Sequence, residues 1–130
     1  AEGVQIGSRF VASEESSAHQ NFKNRVVETA DGGTDLTLKE LTPVRLIKNE
    51  FYQNVQKLYQ GGGSVEELKN LLGRARAKKG MFEGDLVEGE LEIGQIAGII
   101  HNIKPAGEIV KEIIDDFDLI RKRISNLPGF

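Results

Sequence analysis

Four residues near the start of the chain have the types and order of a phosphate-binding turn. Gln5, Ile6, Gly7 and Ser8 continue an alternation of apolar and polar residues that is typical of a short strand. A glycine at the end of a strand lets backbone N–H groups approach an anion with no Cβ in the way, and a serine hydroxyl adds a donor. The same residues also fit an ordinary turn after a strand, and their spacing alone favours that turn.

His19 and His101 are the only histidines in the chain. His19 lies at the start of a predicted helix, where a surface or capping role is expected rather than that of a catalytic base. His101 lies at the end of another, where an imidazole suits the helix dipole and needs no catalytic role. No third ligand is spaced to make a metal site with either one, and the absence of cysteine excludes thiolate sites and cysteine nucleophiles. We therefore expect no metal, and the residues alone complete no catalytic set.

The composition is that of a globular protein of about one domain. Of its 130 residues, 38% are hydrophobic and 28% charged, and 17 Lys and Arg against 20 Asp and Glu give a net charge of −3. This balance argues against nucleic acid or anionic lipid as a partner, and no apolar run predicts a membrane span. Glycine is abundant, with 15 residues, but Gly61-Gly62-Gly63 lacks the P-loop pattern and is interpreted as a linker.

Hydrophobic periodicity predicts the elements that must position these residues. A helix from Ser16 or Ser17 to about Ala30 precedes two short extended segments between Thr34 and Ile47. Further helices are predicted over Lys48–Gln60, from the Ser64 cap to a stop at Gly80, over Gln95–Asn102, and along a C-terminal stripe of Ile109, Ile113, Phe117, Ile120 and Ile124. The acidic stretch Glu83–Glu92 is predicted to be loop or weak edge strand. The last helix has the clearest stripe, so we expect it to pack against another element.

Several short motifs, in order, resemble one family of flavin enzymes. Gly3–Ala12, Glu15-Ser16 and Ala18–Lys23 resemble the region around the eighth barrel strand in the nitronate monooxygenase (2-nitropropane dioxygenase) and flavin-dependent enoyl-acyl-carrier-protein reductase family. The similarity continues with Thr37, Pro43–Asn49 and Gly94–Gly98. The combination of G-[TS]-R-F, A-H-x-x-[YF]-K and G-Q-I-A-G resembles the enoyl reductase branch more than the nitronate branch.

The resemblance implies an α/β fold that is the C-terminal part of an FMN-binding (β/α)8 TIM barrel. Residues 1–11 would be the last barrel strand with its phosphate-binding turn. Residues 12–92 would be an inserted, mainly helical lobe on the substrate side, and residues 93–130 the closing helices of the barrel. The catalytic residues, including the family's histidine beside the flavin, would lie upstream of residue 1. Neither His19 nor His101 lies in that histidine's motif, so neither inherits its role.

The resemblance also implies a function. The enzyme would bind FMN and use NAD(P)H to reduce trans-2-enoyl thioesters of acyl-carrier protein in fatty acid biosynthesis. It would be a cytoplasmic homodimer formed through the inserted lobe, with the remainder of the barrel as a further partner of this segment. The segment alone is expected to be inactive.

The same resemblance assigns candidate site residues. Gln5, Ile6, Gly7 and Ser8 would bind the FMN phosphate, and Gly94, Gln95 and Gly98 would lie at the mouth of the active site. Arg45 is expected to form a salt bridge within the lobe rather than to contact the acyl-carrier protein or the nicotinamide.

Two other functions stay open at the level of sequence. A nitronate monooxygenase would use the same flavin to oxidise alkyl nitronates with oxygen. A stand-alone helical binding module without activity is the alternative from another class, and it would leave the opening strand with no partner for its backbone groups.

Overall fold

The computed structural model describes residues 2–127. Over that range the chain forms helices α1 (Ser8–Val11), α2 (Gln20–Val27), α3 (Glu50–Gln60), α4 (Val65–Leu72), α5 (Arg76–Met81) and α6 (Ala106–Ser125), strands β1 (Thr34–Thr37) and β2 (Val44–Ile47), and a 3₁₀ helix (Gln95–Ile99). The architecture is therefore mixed α/β with mostly helical elements. None of the helices within residues 2–127 combines the length and apolarity that crossing a bilayer requires.

The opening segment differs from the barrel strand predicted for residues 1–11. Residues 2–7 pair with no other segment of the described chain, and Ser8–Val11 forms helix α1 instead of the end of a strand. Val4 is 77% exposed. A strand needs a neighbour for its backbone N–H and C=O groups, and residues 2–127 bring none alongside this segment. Ala1, which the prediction included, lies outside the described residues.

A small antiparallel sheet confirms the two extended segments predicted between Thr34 and Ile47. In this sheet Thr34 lies opposite Ile47 and Thr37 lies opposite Val44. The end of the acidic stretch adds to the edge of β2, because Ile47 N donates to Leu91 O at 2.9 Å and Ile93 N donates to Arg45 O at 3.2 Å. The prediction of loop or weak edge strand for this stretch is therefore confirmed.

Two hydrophobic clusters pack against this sheet. The first cluster consists of Ala12, Phe22, Val26, Ile47, Leu91, Ile93, Ala97 and Ile100. The second cluster consists of Leu38, Leu46, Phe51, Val55 and Leu68. Successive side chains of a strand point to opposite faces, so Leu46 enters the second cluster and its neighbour Ile47 the first. The first cluster also joins α1 and α2 to the 3₁₀ helix, which fixes where the two candidate motifs lie.

Capping residues determine where α2 and α4 begin. α2 begins at Gln20, later than predicted, because His19 is its N-cap and its Nδ1 accepts a hydrogen bond from Asn21 N at 3.1 Å. The capping role expected of His19 is thus confirmed. Ser64 and Glu67 form the reciprocal capping box that their spacing predicts at the start of α4.

The helix predicted from Ser64 to Gly80 is two helices. α4 ends at Leu72, where Gly73 adopts φ +63°, and Ala75 at φ +59° precedes α5. These two residues with positive φ interrupt the i→i−4 ladder, although the apolar period continues across them. Gly80 is consequently not a stop. It lies buried inside α5, against Gly89.

Arg76 ties the second helix of this pair to its surroundings. Its guanidinium donates to Leu72 O and Leu71 O, both at 2.8 Å, and to Glu88 O at 2.7 Å. It also lies over the ring of Phe51, 4.6 Å from the ring centre. One side chain therefore connects the end of α4, the acidic stretch and α3.

Glu90, beside this arginine, gives the stability of the fold a pH dependence. The residue is 8% exposed. Burial, and secondarily the charge of Glu92, raises the pKa of Glu90 from its ordinary value of 4.5 to about 7, against a smaller opposing effect of Arg76. The folded state thus binds this proton more tightly than the unfolded chain, and the free energy of unfolding falls as pH rises between these two values.

Glu90→Gln is therefore expected to stabilise the protein at pH values above the pKa of Glu90 in the folded state and not at acidic pH. We expect the free energy of unfolding to rise by about 2–3 kcal/mol at about pH 8 and to stay unchanged at about pH 4, as measured by urea unfolding. Glu66→Gln, on the exposed face of α4, is the matched control and should show no such difference. An equal increase in the free energy of unfolding at both pH values would show that the effect comes from packing rather than from charge.

Helix α6 has the predicted apolar stripe, but little of it is covered. Ile109 is buried, whereas Phe117, Ile120 and Ile124 are 65%, 47% and 61% exposed. The expectation that the stripe packs against another element is met only near the start of the helix, within the part of the chain described. A helix with one continuous apolar face requires a partner along that face, so most of α6 presents a surface suited to burial.

Candidate functional site

The predicted phosphate-binding turn lies where the opening segment becomes α1. Gly7 O accepts hydrogen bonds from Phe10 N at 2.9 Å and Val11 N at 3.3 Å, which closes the single turn of this helix. The first N–H groups of a helix have no acceptor within the helix. The N–H groups of Ser8 and Arg9 are therefore available to an acceptor from outside it.

Ser8 brings the two predicted motifs together. Gly94 N donates a hydrogen bond to Ser8 Oγ at 3.0 Å, which joins residues 86 positions apart. A Cβ at position 94 would lie 2.7 Å from that oxygen, so this contact depends on glycine. Because Ser8 accepts here, its own hydroxyl proton is left to donate elsewhere.

Two grooves flank the Gly7–Ser8 turn. The larger, of about 680 Å³, is lined by the four predicted phosphate residues and Arg9, by isoleucines of the 3₁₀ helix and α6, and by Glu112 and Asp116. The smaller, of about 450 Å³, is lined by Gly7, Ser8, Val11, Pro43, Val44, Arg45, Glu92, Ile93 and Gly94. The turn therefore faces an apolar groove with two carboxylates on one side and a groove with one arginine and one glutamate on the other.

The residues predicted at the active-site mouth do not stay together. Gly94 lines the smaller groove beside Ser8. Gln95 is exposed at the start of the 3₁₀ helix. Gly98 instead packs against the chain, since a Cβ there would lie 3.2 Å from the Cα of Asp31. Of the three, Gly94 is hydrogen-bonded to the predicted phosphate turn.

Arg45 and the histidines have structural surroundings. The prediction that Arg45 forms a salt bridge within the lobe is wrong. No carboxylate among the described residues pairs with Arg45, and its Nη1 donates to Thr34 Oγ1 at 3.3 Å, because the antiparallel register sets these two side chains diagonally across the sheet. His19 packs against Gly84 while it caps α2, and His101 is exposed beyond the 3₁₀ helix. Residues 2–127 contain no cluster of three His, Asp or Glu side chains arranged around a metal ion.

Comparison with known proteins identifies the family. A family model described as nitronate monooxygenase matches residues 1–116. The chain belongs to this family. The nitronate monooxygenase of Neurospora crassa is 27% identical over 143 residues, which cover 100% of this chain and 35% of that protein. The probable nitronate monooxygenase of Staphylococcus saprophyticus is 27% identical over 127 residues, which cover 95% of this chain and 34% of that protein.

A solved structure extends the comparison to the fold. FabK from Thermotoga maritima is 31% identical and superposes with a TM-score of 0.82, over 96% of this chain and 40% of that one. A mutant of the same FabK superposes with a TM-score of 0.78. The chain thus spans between about a third and two fifths of the length of the relatives it matches. Its mixed α/β fold matches part of FabK, a TIM-barrel enzyme.

The resemblance inferred from the motifs is therefore confirmed at the level of the family. That family is FMN-dependent and includes both FabK, an enoyl-acyl-carrier-protein reductase, and nitronate monooxygenases. FMN ends in a phosphate, which needs hydrogen-bond donors and room to approach them. The N–H groups of Ser8 and Arg9 and the Ser8 hydroxyl are such donors. Position 7 is open as well, because a Cβ built there meets nothing within 4 Å. The turn therefore fits the phosphate.

Proposed function

We propose that this chain forms part of an FMN-dependent oxidoreductase that reduces trans-2-enoyl thioesters of acyl-carrier protein with NAD(P)H. The hydrogen bond from Gly94 N to Ser8 Oγ carries the proposal, because it joins two glycine motifs of the enoyl reductase pattern at one turn. The likeness to FabK, at 31% identity and a TM-score of 0.82, supports the same branch, against 27% identity to the curated nitronate monooxygenases.

The residues of this chain bind and orient the cofactor in this proposal. FMN, when bound and reduced by NAD(P)H, would supply the hydride for the β-carbon of the enoyl thioester. The N–H groups of Ser8 and Arg9 and the Ser8 hydroxyl donate to phosphate oxygens, and each such charge-assisted bond contributes about 1.5–3 kcal/mol. The isoleucine side chains of the larger groove give the space beside the turn an apolar lining. The family's histidine beside the flavin has no counterpart in this sequence, so the proposal assigns catalysis to residues outside it.

The exposed apolar surfaces fit completion by the remainder of the barrel. The unpaired backbone of residues 2–7 suits a neighbouring strand, and the stripe of Phe117, Ile120 and Ile124 on α6 suits a packed layer. Burial of apolar surface stabilises by about 25 cal/mol per Å². We therefore include further barrel elements as a partner of this chain.

A nitronate monooxygenase is the second candidate. The family model and both curated relatives carry that name. Such an enzyme would use the same phosphate turn, so the geometry at Gly7 and Ser8 serves either reaction.

An activity assay distinguishes the two reactions. It uses the intact protein, meaning the full-length enzyme of which this chain is proposed to be a part, loaded with FMN. We expect NADH or NADPH to be consumed in proportion to added crotonyl thioester, and oxygen not to be consumed with an alkyl nitronate. The reverse pattern would establish the nitronate reaction. If the flavin-loaded protein turns over neither substrate, both assignments are wrong. A different outcome, in which this chain is a folded monomer that binds no flavin, would support the stand-alone binding module.

A further inference from the structure

Arg9 lines the larger groove, but its guanidinium is held by acceptors of the protein itself. Nη1 donates to Ala12 O at 3.2 Å and to Asn102 O at 3.1 Å, and Nη2 donates to Asn102 Oδ1 at 2.7 Å. An arginine next to a phosphate-binding turn would ordinarily be assigned to the phosphate. Here the planar fork of the side chain matches the backbone and side chain of Asn102 instead.

We infer that Arg9 is a positioning residue that holds the Gly7–Ser8 turn against residues 94–102, and thereby sets the affinity for the FMN phosphate without touching it. The inference rests on the proposed function. Asn102, which belongs to none of the motifs, is the partner of Arg9 in this contact and accepts its hydrogen bonds.

The geometry explains why one contact is not enough. Helix α1 has a single turn, and so short a helix is not stable without tertiary contacts. The bond between Ser8 and Gly94 holds it at the start of the 3₁₀ helix, and the bonds from Arg9 to Asn102 hold it beyond the end of that helix. Because Ser8 and Arg9 are bound to two separate points, one at each end of the 3₁₀ helix, α1 cannot rotate about the Ser8 contact. The N–H groups of Ser8 and Arg9 then keep one direction relative to Gly94.

The chemistry of arginine separates positioning from direct contact. A lysine offers a point charge, which can still attract a phosphate, but it cannot reproduce a planar fork that reaches Asn102 O and Asn102 Oδ1 together. Arg9→Lys should therefore fail to restore binding if Arg9 acts by position. It should restore much of the binding if Arg9 contacts the anion.

The experiment titrates FMN and riboflavin into the intact protein and follows flavin fluorescence. For Arg9→Ala and Arg9→Lys we expect about 5- to 20-fold weaker FMN binding, with riboflavin, which has no phosphate, bound as in the wild type. Asn102→Ala removes Oδ1 but keeps the backbone acceptor Asn102 O, so we expect a smaller loss of about 3- to 5-fold, again for FMN and not for riboflavin. The double variant Arg9→Ala/Asn102→Ala should bind FMN as Arg9→Ala does, because removal of Arg9 already removes both bonds to residue 102. Arg74→Ala, which removes an exposed positive charge beside α5, is the matched control and should bind FMN normally.

Other outcomes overturn the inference. Normal FMN binding by Asn102→Ala together with recovery by Arg9→Lys would show a direct phosphate contact. Normal binding by Arg9→Ala would show that the contact does not matter to the turn. Asn102 is exposed, so its variant decides the matter even if Arg9→Ala does not fold. A wild-type protein that binds no FMN would overturn the proposed function as well, whereas equal binding by wild type and Arg9→Ala would overturn only the role of Arg9.

Discussion

Replacing Gly89 with alanine is expected to destabilise the protein by about 3 kcal/mol or more. A Cβ at position 89 would lie 2.2 Å from the Cα of Gly80 and 2.3 Å from Asp85 O. Both obstacles are backbone atoms, which cannot rotate away as the end of a side chain can. Relief therefore requires α5 to move away from the loop that follows it, which would also strain the bond from Arg76 to Glu88 O.

Urea unfolding of the intact protein measures this effect as a lower midpoint at unchanged slope. Gly80→Ala is expected to cost less, because its Cβ would meet Leu91 Cδ2 at 2.8 Å and the backbone atoms Glu90 O and Gly89 Cα at 2.9 and 3.0 Å, which are smaller overlaps than those at position 89. Gly107→Ala, where a Cβ meets nothing within 4 Å, is the control and should leave stability unchanged or raise it by up to about 1 kcal/mol. A wild-type midpoint for Gly89→Ala would mean that the loop at residues 85–90 moves aside freely, contrary to the packing described.

Local signals predicted much of the fold correctly. The two extended segments between Thr34 and Ile47 and the capping box at Ser64 and Glu67 depend on neighbouring residues, so the sequence contains all the information they need. The order of short motifs also predicted the family. It placed Ser8 and Gly94 in the same site, although periodicity alone gives no reason for residues 86 positions apart to meet.

The errors arise where non-local packing or backbone conformation overrides periodicity. The break between α4 and α5 depends on positive φ angles at Gly73 and Ala75, and alanine gives no sequence signal of such a conformation. The prediction of a helix stop at Gly80 is wrong because this glycine serves a tertiary contact with Gly89, which leaves no local signal in the sequence. The strand predicted for residues 1–11 finds no neighbouring segment among residues 2–127, and Ser8–Val11 forms helix α1 instead.

The same limit applies to the candidate site. Arg9 belongs to a recognisable motif, but its partner Asn102 lies 93 positions away in no motif, and sequence alone could not pair them. Gly98 belongs to a motif, yet its lack of a side chain allows the backbone to pack closely against Asp31. A motif therefore indicates which segment contributes to the site, whereas the contacts decide which of its residues face a ligand.

Gly7→Val is expected to weaken FMN binding by about 100-fold without affecting the fold. The chain itself does not require glycine at this position, because its φ is −107° and a Cβ there meets no atom within 4 Å. A phosphate held by the N–H groups of Ser8 and Arg9 would, however, have to approach across that open space. Valine would displace the phosphate and remove one or two charge-assisted hydrogen bonds of about 1.5–3 kcal/mol each, and every 1.4 kcal/mol is about tenfold in Kd.

Equilibrium titration of the intact Gly7→Val protein with FMN and with riboflavin checks this result. Riboflavin affinity and the urea midpoint should match those of the wild type, because neither depends on room for a phosphate at the turn. Gly107→Val, another substitution into open space but on α6, should bind both flavins normally. Unchanged FMN affinity in Gly7→Val would place the phosphate elsewhere. Equal losses for FMN and riboflavin would instead indicate that position 7 contacts the ring system, since only the phosphate distinguishes the two ligands.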